Sequence, residues 1–283
     1  MILDNKYNTG KKPLLLDIGG TFIKCSDGRV IPVDSSGEKE SVTAAIKKAV
    51  GFEVCAAVAI PGPFDYENGV FLMKHKFASV YGERFTDICG LKEGDVCFEH
   101  DVIAMLRGEM ARGNAAGYSR VALVTLGTGL GFAMSIDGNI PRNATGSPLV
   151  PIYNIPYRDG ILEDYASKRG VTGAYARVLG YEPGSVSVKE IAIRAGEGDR
   201  CAKAAFAEVG DIIGESIAPL LAEYGIECLL FGGQISRSSA LFLPSVTTHL
   251  PECVRFAGPV SDFDNATFNG LETIIINKHS NKI

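Results

Sequence analysis

Two glycine-threonine segments contain the residue types that bind phosphate. In the first, DIGGTFIK, Gly19 and Gly20 leave main-chain N–H groups accessible to a bulky anion, while Thr21 adds a hydroxyl and Lys24 a cation. Asp17 precedes them and supplies a carboxylate that could hold a hydrated Mg²⁺ beside the phosphates. An ordinary turn between two strands explains one such motif equally well.

The second segment, LGTGLG, runs through Gly127, Thr128, Gly129 and Gly131. Its spacing differs from the GxGxxG of dinucleotide-binding folds, and it lacks the GK[ST] ending of a P-loop. Like the first segment, it follows an apolar strand and precedes an antiparallel one. Two equivalent lobes facing each other would put one turn on each side of a nucleotide's phosphates, so the repeat favours phosphate binding over two unrelated hairpins.

Asp101 is the residue best suited to act as a base. It lies between a predicted strand, Asp95–Glu99, and a helix that begins DVIAMLRGEMARG. Helix capping explains an aspartate at this position, but a cap and a catalytic base can be the same residue. Gly62, within IPGP, follows another predicted strand, Glu53–Ile60. Both sites fall at the carboxyl ends of strands, where open α/β sheets bind their ligands.

The elements that position these residues are a mixture of strands and helices. Tight-turn signals at Gly19-Gly20 and Asp27-Gly28 predict an antiparallel meander of three strands. A third glycine pair, Gly232-Gly233, ends a predicted strand, and its side-chain-free backbone suits a purine and its ribose. The predicted strands are Leu14–Ile18, Phe22–Ser26, Arg29–Val33, Arg120–Leu126, Phe132–Ile136 and Glu227–Phe231, and the predicted helices include Ser41–Val50, Phe85–Cys89, Gly160–Lys168, Lys203–Tyr224, Ser238–Leu250 and Ala266–Ile276.

Composition limits the classes of protein to consider. A chain of 283 residues is long enough for two lobes, and its net charge of -5 argues against non-specific nucleic-acid binding. The first twelve residues lack the apolar core of a signal peptide, and no apolar run approaches the roughly 18 residues of a membrane span. We therefore expect a cytoplasmic protein with no nucleic-acid or membrane partner. Its seven scattered cysteines indicate free thiols rather than a disulfide framework.

The ordered set DIGGTFIK, IPGP, Asp101 at a helix start, LGTGLG and LLFGG resembles the ATP-binding elements of the sugar kinase and actin-like ATPase superfamily. Within it, the chain is similar to the ROK family of bacterial sugar kinases over nearly its whole length. The resemblance implies a two-lobed α/β actin-like ATPase fold, which is ribonuclease H-like, with a central cleft. The N-terminal lobe would comprise 1–100 joined by the last helix, 265–283, and the C-terminal lobe 101–264.

The same resemblance implies an activity, namely ATP-dependent phosphorylation of a hexose or N-acetylhexosamine with Mg²⁺ as cofactor. Asp101 would accept the proton of the sugar hydroxyl as it attacks the γ-phosphoryl group. Gly62 and Glu163, the latter in GILE, would contact the sugar. The remaining matches are Gly19, Gly20, Thr21 and Lys24 in the first phosphate motif, Gly127 to Gly131 in the second, and Gly232 and Gly233 in the adenosine motif.

The chain departs from the family pattern at the sugar-binding and zinc motifs. No cysteine lies between 97 and 201, so the family's CxCGxxGC cluster is missing and we expect no zinc site. His100 replaces the usual asparagine, and we expect it to face the sugar, although a hydrogen bond across the cleft would explain it too. Thr145 to Pro148 replace the usual glutamate and histidine. The resemblance therefore does not identify the sugar or the hydroxyl.

Two other functions stay open. The altered sugar contacts and the FGGQ variant of the adenosine motif are compatible with a non-catalytic sugar- or nucleotide-binding regulatory protein. An actin-like or chaperone-like ATPase is disfavoured because the sequence contains no large insertion or substrate-binding domain. The oligomeric state is also open, with a homodimer as one option.

Overall fold

The computed structural model describes residues 13–52, 56–180, 182 and 184–280. The chain divides into two compact units, Met1–Asp101 with Leu271–Ile283, and Val102–Gly270. The second boundary falls after Gly270 rather than after residue 264. Residues 1–12, the first three of the predicted strand Glu53–Ile60, and 281–283 lie outside the described residues.

A five-stranded sheet forms the centre of the first unit. Its elements are β1 (Leu14–Ile18), β2 (Phe22–Cys25), β3 (Val30–Pro32), α1 (Lys39–Val50), β4 (Ala56–Ile60), β5 (Phe64–Asp65), β6 (Val70–Phe71), α2 (Phe85–Cys89) and β7 (Val96–His100). The strand order is β3-β2-β1-β4-β7, with β5 and β6 forming a separate ribbon. The predicted meander β1-β2-β3 is confirmed, whereas β1, β4 and β7 are parallel. The carboxyl ends of these three strands therefore share one edge of the sheet.

Helix α1 contributes its apolar face to the core of this unit. Val42, Ile46, Ala49 and Val50 are buried at helical spacing and belong to one cluster with the sheet residues Leu16, Ile18, Val58 and Ile60. This packing keeps β1 and β4 in place, and with them the edge at which they end.

The second unit has a four-stranded sheet in the order β13-β12-β8-β9. The elements are α3 (Asp101–Arg112), which begins at the last residue of the first unit, β8 (Arg120–Leu126), β9 (Leu130–Ile136), β10 (Pro156–Tyr157), β11 (Gly160–Ile161), α4 (Leu162–Tyr165), α5 (Lys168–Leu179), α6 (Val188–Gly196), α7 (Arg200–Glu223), β12 (Cys228–Gly232), α8 (Leu243–Thr247) and β13 (Phe256–Pro259). The last helix, α9 (Ala266–Ser280), begins in this unit, and its part from Leu271 onward belongs to the first unit. β8, β12 and β13 are parallel, and β9 returns antiparallel to β8.

Two helix contacts in this unit depend on glycine. The long helix α7 buries an apolar stripe of Phe206, Val209, Ile213 and Ile217, and a Cβ at Gly210 would lie 2.3 Å from the carbonyl oxygen of Phe242. Where α3 crosses α9 the backbones are closer still. A Cβ at Gly108 would lie 1.9 Å from O of Ala266, and one at Gly270 would lie 1.7 Å from O of Ala104. Only residues without a side chain fit this crossing.

Two of the predicted helices differ from the structure. The predicted helix Gly160–Lys168 is instead β11, α4 and the start of α5, because Gly160 and Ile161 pair with β10 and the Ser167 hydroxyl caps α5. The predicted helix Ser238–Leu250 is a 3₁₀ segment, Ile235–Leu241, followed by the short α8. β13 was not predicted. Among the described residues, no helix combines the length and apolar content needed to cross a membrane.

Candidate functional site

The first glycine-threonine turn connects β1 to β2. Gly19 N–H donates to O of Phe22 at 2.9 Å, Val33 N–H to O of Thr21 at 2.9 Å, and Ser35 N–H to O of Gly20 at 3.0 Å. The turn is thus held by main-chain bonds to its own strand and to the segment after β3. The Thr21 side chain remains exposed, as a ligand-binding hydroxyl must be.

The parallel strands bring the predicted polar residues of the first unit to one edge of its sheet. Asp17 is paired with Lys24 on β2 and with Ala59 on β4, while Ile60 is paired with His100 on β7. Gly62 follows β4 by two residues. Asp101 follows β7 directly and is the first residue of α3. Five of the predicted residues are therefore neighbours in the sheet or immediately beyond it.

His100 and Asp101 contact each other through their side chains. Nδ1 of His100 lies 2.9 Å from Oδ1 of Asp101, and their side chains are 14% and 36% exposed. An imidazole N–H donated to this oxygen would fix the orientation of the carboxylate. The Asp101 side chain retains exposed surface, so it can still be reached by a substrate.

The carboxylate of Asp17 is in an unusual electrostatic environment. The pKa of Asp17 is raised from 3.8 to about 6, chiefly by burial and also by the negative charge of Asp101, while Lys24 acts in the opposite direction. Desolvation and a nearby like charge both disfavour the ionised form, so a cation bound here would be stabilised. Two carboxylates with hard oxygen donors suit Mg²⁺, which means that the residues present fit the predicted cofactor.

Two residues of this region were missed in the sequence. Glu99 is only 2% exposed and accepts the N–H of His100 at 3.0 Å. The ring of Tyr66 lies 5.8 Å from that of His100, and its hydroxyl donates to O of Ile60 at 2.8 Å. Both restrict His100. The sequence signal that could have found Glu99 is an acid within an apolar strand, next to the predicted base.

The second glycine-threonine turn connects β8 to β9. Leu126 and Leu130 close the hairpin, and Gly127 N–H donates to O of Gly129 at 3.0 Å. Gly131 permits a close approach, since a Cβ there would lie 2.3 Å from Oγ1 of Thr125 and 2.7 Å from Cγ2 of Val102. The turn therefore requires glycine for packing as well as for any contact with phosphate.

The predicted adenosine motif adjoins this second turn. Gly232 pairs with Thr125 across the parallel strands β12 and β8. Gly233 has φ of 82°, and a Cβ on it would lie 2.3 Å from O of Leu126, the residue before Gly127. Ser236 further fixes the segment by donating its hydroxyl to O of Gly232 at 2.6 Å. The second and third glycine motifs thus form one continuous region of the second unit.

Glu163 also belongs to this region. It lies in the first turn of α4, where its Oε2 accepts the N–H of Leu130 at 2.9 Å. Its Oε1 lies 3.2 Å from Nη2 of Arg169, and the side chain is 25% exposed. The structure therefore places the predicted residues in two groups, one within each unit.

The zinc site of the family pattern is a feature that we expect this chain to lack. Among the residues that the structure describes, no three His, Cys, Asp or Glu side chains are grouped so that they could hold a metal ion. The absence of zinc stays a prediction.

Comparisons with known proteins find matches in the ROK family. The family model described as ROK family matches residues 156–270. The glucokinase of Thermotoga maritima is 25% identical over 260 residues, which are 84% of this chain and 75% of that protein. A ROK family glucokinase structure from Streptomyces griseus, in complex with glucose and AMPPNP, has a TM-score of 0.75 at 23% identity, covering 93% of this chain and 98% of that one.

A regulator of the same family is about as similar in fold. The structure of a ROK family transcriptional regulator, a homologue of the E. coli MLC protein, has a TM-score of 0.74 at 19% identity and covers 94% of this chain and 78% of that one. The predicted resemblance to the ROK family and the predicted α/β fold of the actin-like ATPases are confirmed. At these identities the structural matches establish the fold alone.

Proposed function

Since the chain carries a ROK family domain over residues 156–270, we propose that it transfers the γ-phosphoryl group of ATP to a hydroxyl of a hexose or N-acetylhexosamine. The observation that carries the proposal is the contact between His100 and Asp101 at the start of α3, beside a second carboxylate, Asp17. A sugar hydroxyl must lose its proton as it attacks phosphorus, and a fixed, accessible carboxylate can accept that proton.

In this mechanism Asp101 is the general base and His100 holds its carboxylate. The Tyr66 ring lies beside the imidazole, and the Glu99 carboxylate accepts the main-chain N–H of His100 and so holds the backbone that carries it. Gly62 and the outer edge of His100 would contact the sugar. Such fixed geometry matters because a misplaced base loses much of the advantage of an intramolecular reaction.

The glycine turns would bind the nucleotide. In the first unit, the Gly20 N–H, the Thr21 hydroxyl and the Lys24 ammonium would contact phosphate, while Gly19, whose N–H is donated to Phe22, would keep the turn free of a side chain. In the second unit, the N–H groups of Gly129 and Gly131 and the Thr128 hydroxyl would contact phosphate, and Gly127, whose N–H is donated to Gly129, would shape the turn. Gly232 and Gly233 would contact the adenosine. Mg²⁺, held through water by Asp17, would neutralise charge on the transferred phosphoryl group. The raised pKa of Asp17 supports this assignment, because a cation would favour its ionised form.

The proposal is tested by measuring ADP release with ATP, Mg²⁺ and a panel of hexoses and N-acetylhexosamines. We expect turnover with at least one sugar, little ADP release without sugar, and loss of turnover in Asp101→Asn. The absence of ADP release with every sugar in the panel would contradict the kinase function. Unchanged turnover in Asp101→Asn would contradict only the assignment of the base.

A second candidate is a sugar- or nucleotide-binding regulatory protein without catalysis. The segment replacing the family's glutamate and histidine is tied into its own loop, because Oδ1 of Asn143 accepts from Thr145 N–H, Thr145 Oγ1 and Ser147 N–H. These residues are therefore engaged locally. Calorimetry separates the two functions: sugar binding without any ADP release supports the regulator, and sugar-dependent ADP release rules it out.

A further inference from the structure

The second glycine-threonine turn is held by the segment 162–169. Lys168 N–H donates to O of Gly127 at 2.9 Å, and Leu130 N–H donates to Oε2 of Glu163 at 2.9 Å. One bond fixes the first residue of the turn and the other the residue just after it. The turn's conformation therefore depends on a helix pair that is distant in the sequence.

The Glu163 carboxylate fits closely against the turn. A Cβ on Gly129 would lie 2.6 Å from Oε2 of Glu163, closer than van der Waals contact permits. Glycine at 129 thus leaves the space through which the carboxylate reaches Leu130. A main-chain N–H donated to a carboxylate is a strong, charge-assisted hydrogen bond, which favours one conformation of the turn.

A carboxylate beside a phosphate-binding turn would repel the phosphates unless its charge were offset. Arg169 provides that offset, since its Nη2 lies 3.2 Å from Oε1 of Glu163 and 3.0 Å from Oδ1 of Asp164. With its charge paired, Glu163 can act by shaping the turn. The neighbouring Asp164 shares the same arginine, and its Oδ2 accepts from Ile161 N–H instead of from the turn.

We propose that Glu163 is a positioning residue for the nucleotide, holding Gly127 to Leu130 in the conformation that binds the phosphates of ATP. This inference rests on the proposed kinase function. It gives Glu163 a role different from the sugar contact that the family resemblance implies. A positioning role predicts that changing Glu163 weakens nucleotide binding, whereas a sugar contact predicts that the same change weakens sugar binding.

The test compares Glu163→Ala, Glu163→Gln and the matched control Asp164→Asn by calorimetry, using AMPPNP with Mg²⁺ and, separately, the sugar with the highest turnover. We expect Glu163→Ala to raise the Kd of AMPPNP about tenfold, as for one lost charge-assisted hydrogen bond, with the sugar Kd changed less than about twofold. Glu163→Gln should raise the AMPPNP Kd less than about threefold, because its amide oxygen can still accept from Leu130. Asp164→Asn should change neither constant.

A second measurement does not depend on ligand. Hydrogen exchange of the Leu130 amide should be about tenfold faster in Glu163→Ala than in the unaltered protein, and unchanged in Asp164→Asn. Thermal melts identify any variant that fails to fold. If Glu163→Ala does not fold, the AMPPNP and sugar Kd values of Glu163→Gln and the protection of the Leu130 amide in the unaltered protein decide the matter.

An unchanged AMPPNP Kd in a folded Glu163→Ala, or a raised sugar Kd with unchanged AMPPNP binding, would overturn the inference and leave the kinase function intact. An unprotected Leu130 amide in the unaltered protein would do the same. Failure of the unaltered protein to bind AMPPNP or to phosphorylate any sugar would overturn the proposed function, and the inference with it.

Discussion

The two glycine-threonine turns share residue types but are held in different ways. The first is fixed by main-chain bonds within its own sheet and is bordered by ionisable side chains, Asp17 and Lys24. The second is fixed by a side chain from α4 and a main-chain amide from α5, and Gly129 and Gly131 are needed for close packing. The first region contains the groups that can move or hold charge, whereas the second offers main-chain donors. Substitutions in the first should therefore change kcat, and those in the second nucleotide affinity.

The largest expected effect is that of Asp101→Asn. Removing a positioned general base lowers kcat about 10³-fold, while the KM for ATP should change less than about threefold. Steady-state kinetics with the best sugar measure both constants, with the circular dichroism spectrum as a control for folding. A large rise in the KM for ATP at unchanged kcat would mean that the first region binds nucleotide without taking part in catalysis.

Asp17→Asn should lower activity and raise stability. Losing the residue that holds Mg²⁺ should reduce kcat about 10²-fold. The folded protein holds the Asp17 proton up to about pH 6 while the unfolded chain releases it near 3.8, so stability falls as pH rises through that interval. At pH 7 the ionised Asp17 lowers the free energy of unfolding by at most about 3 kcal/mol, a limit set by the size of its pKa shift.

The predicted increase in stability of Asp17→Asn can be checked by thermal melts without added divalent cations. The Tm of Asp17→Asn should exceed that of the unaltered protein at pH 7, and the difference should disappear below about pH 4. A variant less stable than the unaltered protein at pH 7 would contradict the electrostatic account of this region.

In the second region, Gly233→Ala should weaken nucleotide binding and destabilise the fold. Its φ is 82°, and the new Cβ would lie 2.3 Å from O of Leu126, so we expect a loss of about 2 to 3 kcal/mol and about a tenfold higher Kd for AMPPNP. Gly138→Ala is the matched control, with the same φ of 82° and nothing within 4 Å of the new Cβ. Urea unfolding measures the free energy of unfolding of both variants, and the difference between their losses is the contribution of the close contact with Leu126. Equal losses would show that the strain of a positive φ alone accounts for the destabilisation.

The smallest effect concerns His100. His100→Leu should lower kcat about tenfold because Asp101 loses the donor that holds it. His100→Asn should stay within about threefold of the unaltered enzyme, since the amide nitrogen of asparagine occupies a position close to Nδ1 of histidine. Steady-state kinetics of the unaltered enzyme, His100→Leu and His100→Asn measure this effect. Equal kcat values for the two variants would show that His100 does not hold the Asp101 carboxylate for catalysis.

Local signals predicted the parts of the fold that depend on near neighbours. Gly-Gly and Asp-Gly turns indicated the β1-β2-β3 meander, and the apolar stripe indicated α7. β13 was missed because Gly258 and Pro259 disfavour strands, and its formation depends on pairing with β12. Ser167 was not recognised as a cap, which merged three elements into one predicted helix.

The candidate site shows the same limit. The motifs identified Asp17, Asp101 and the glycines, since each has a local pattern. The bond from Leu130 to Glu163 joins residues 33 positions apart, and the position of Tyr66 beside His100 depends on the packing of the segment after β4. No spacing rule connects such residues, because tertiary packing alone brings them together.

The crossing of α3 and α9 limits which substitutions the protein can accept. With Gly108 and Gly270 in direct main-chain contact, any side chain at either position would force the helices apart along the length that follows Asp101. A library randomised at both codons and selected for folded protein should return glycine at each. Accepted substitutions in this part of the chain are therefore confined to residues outside the helix crossing, and the position of the start of α3 depends on two glycines further along the chain.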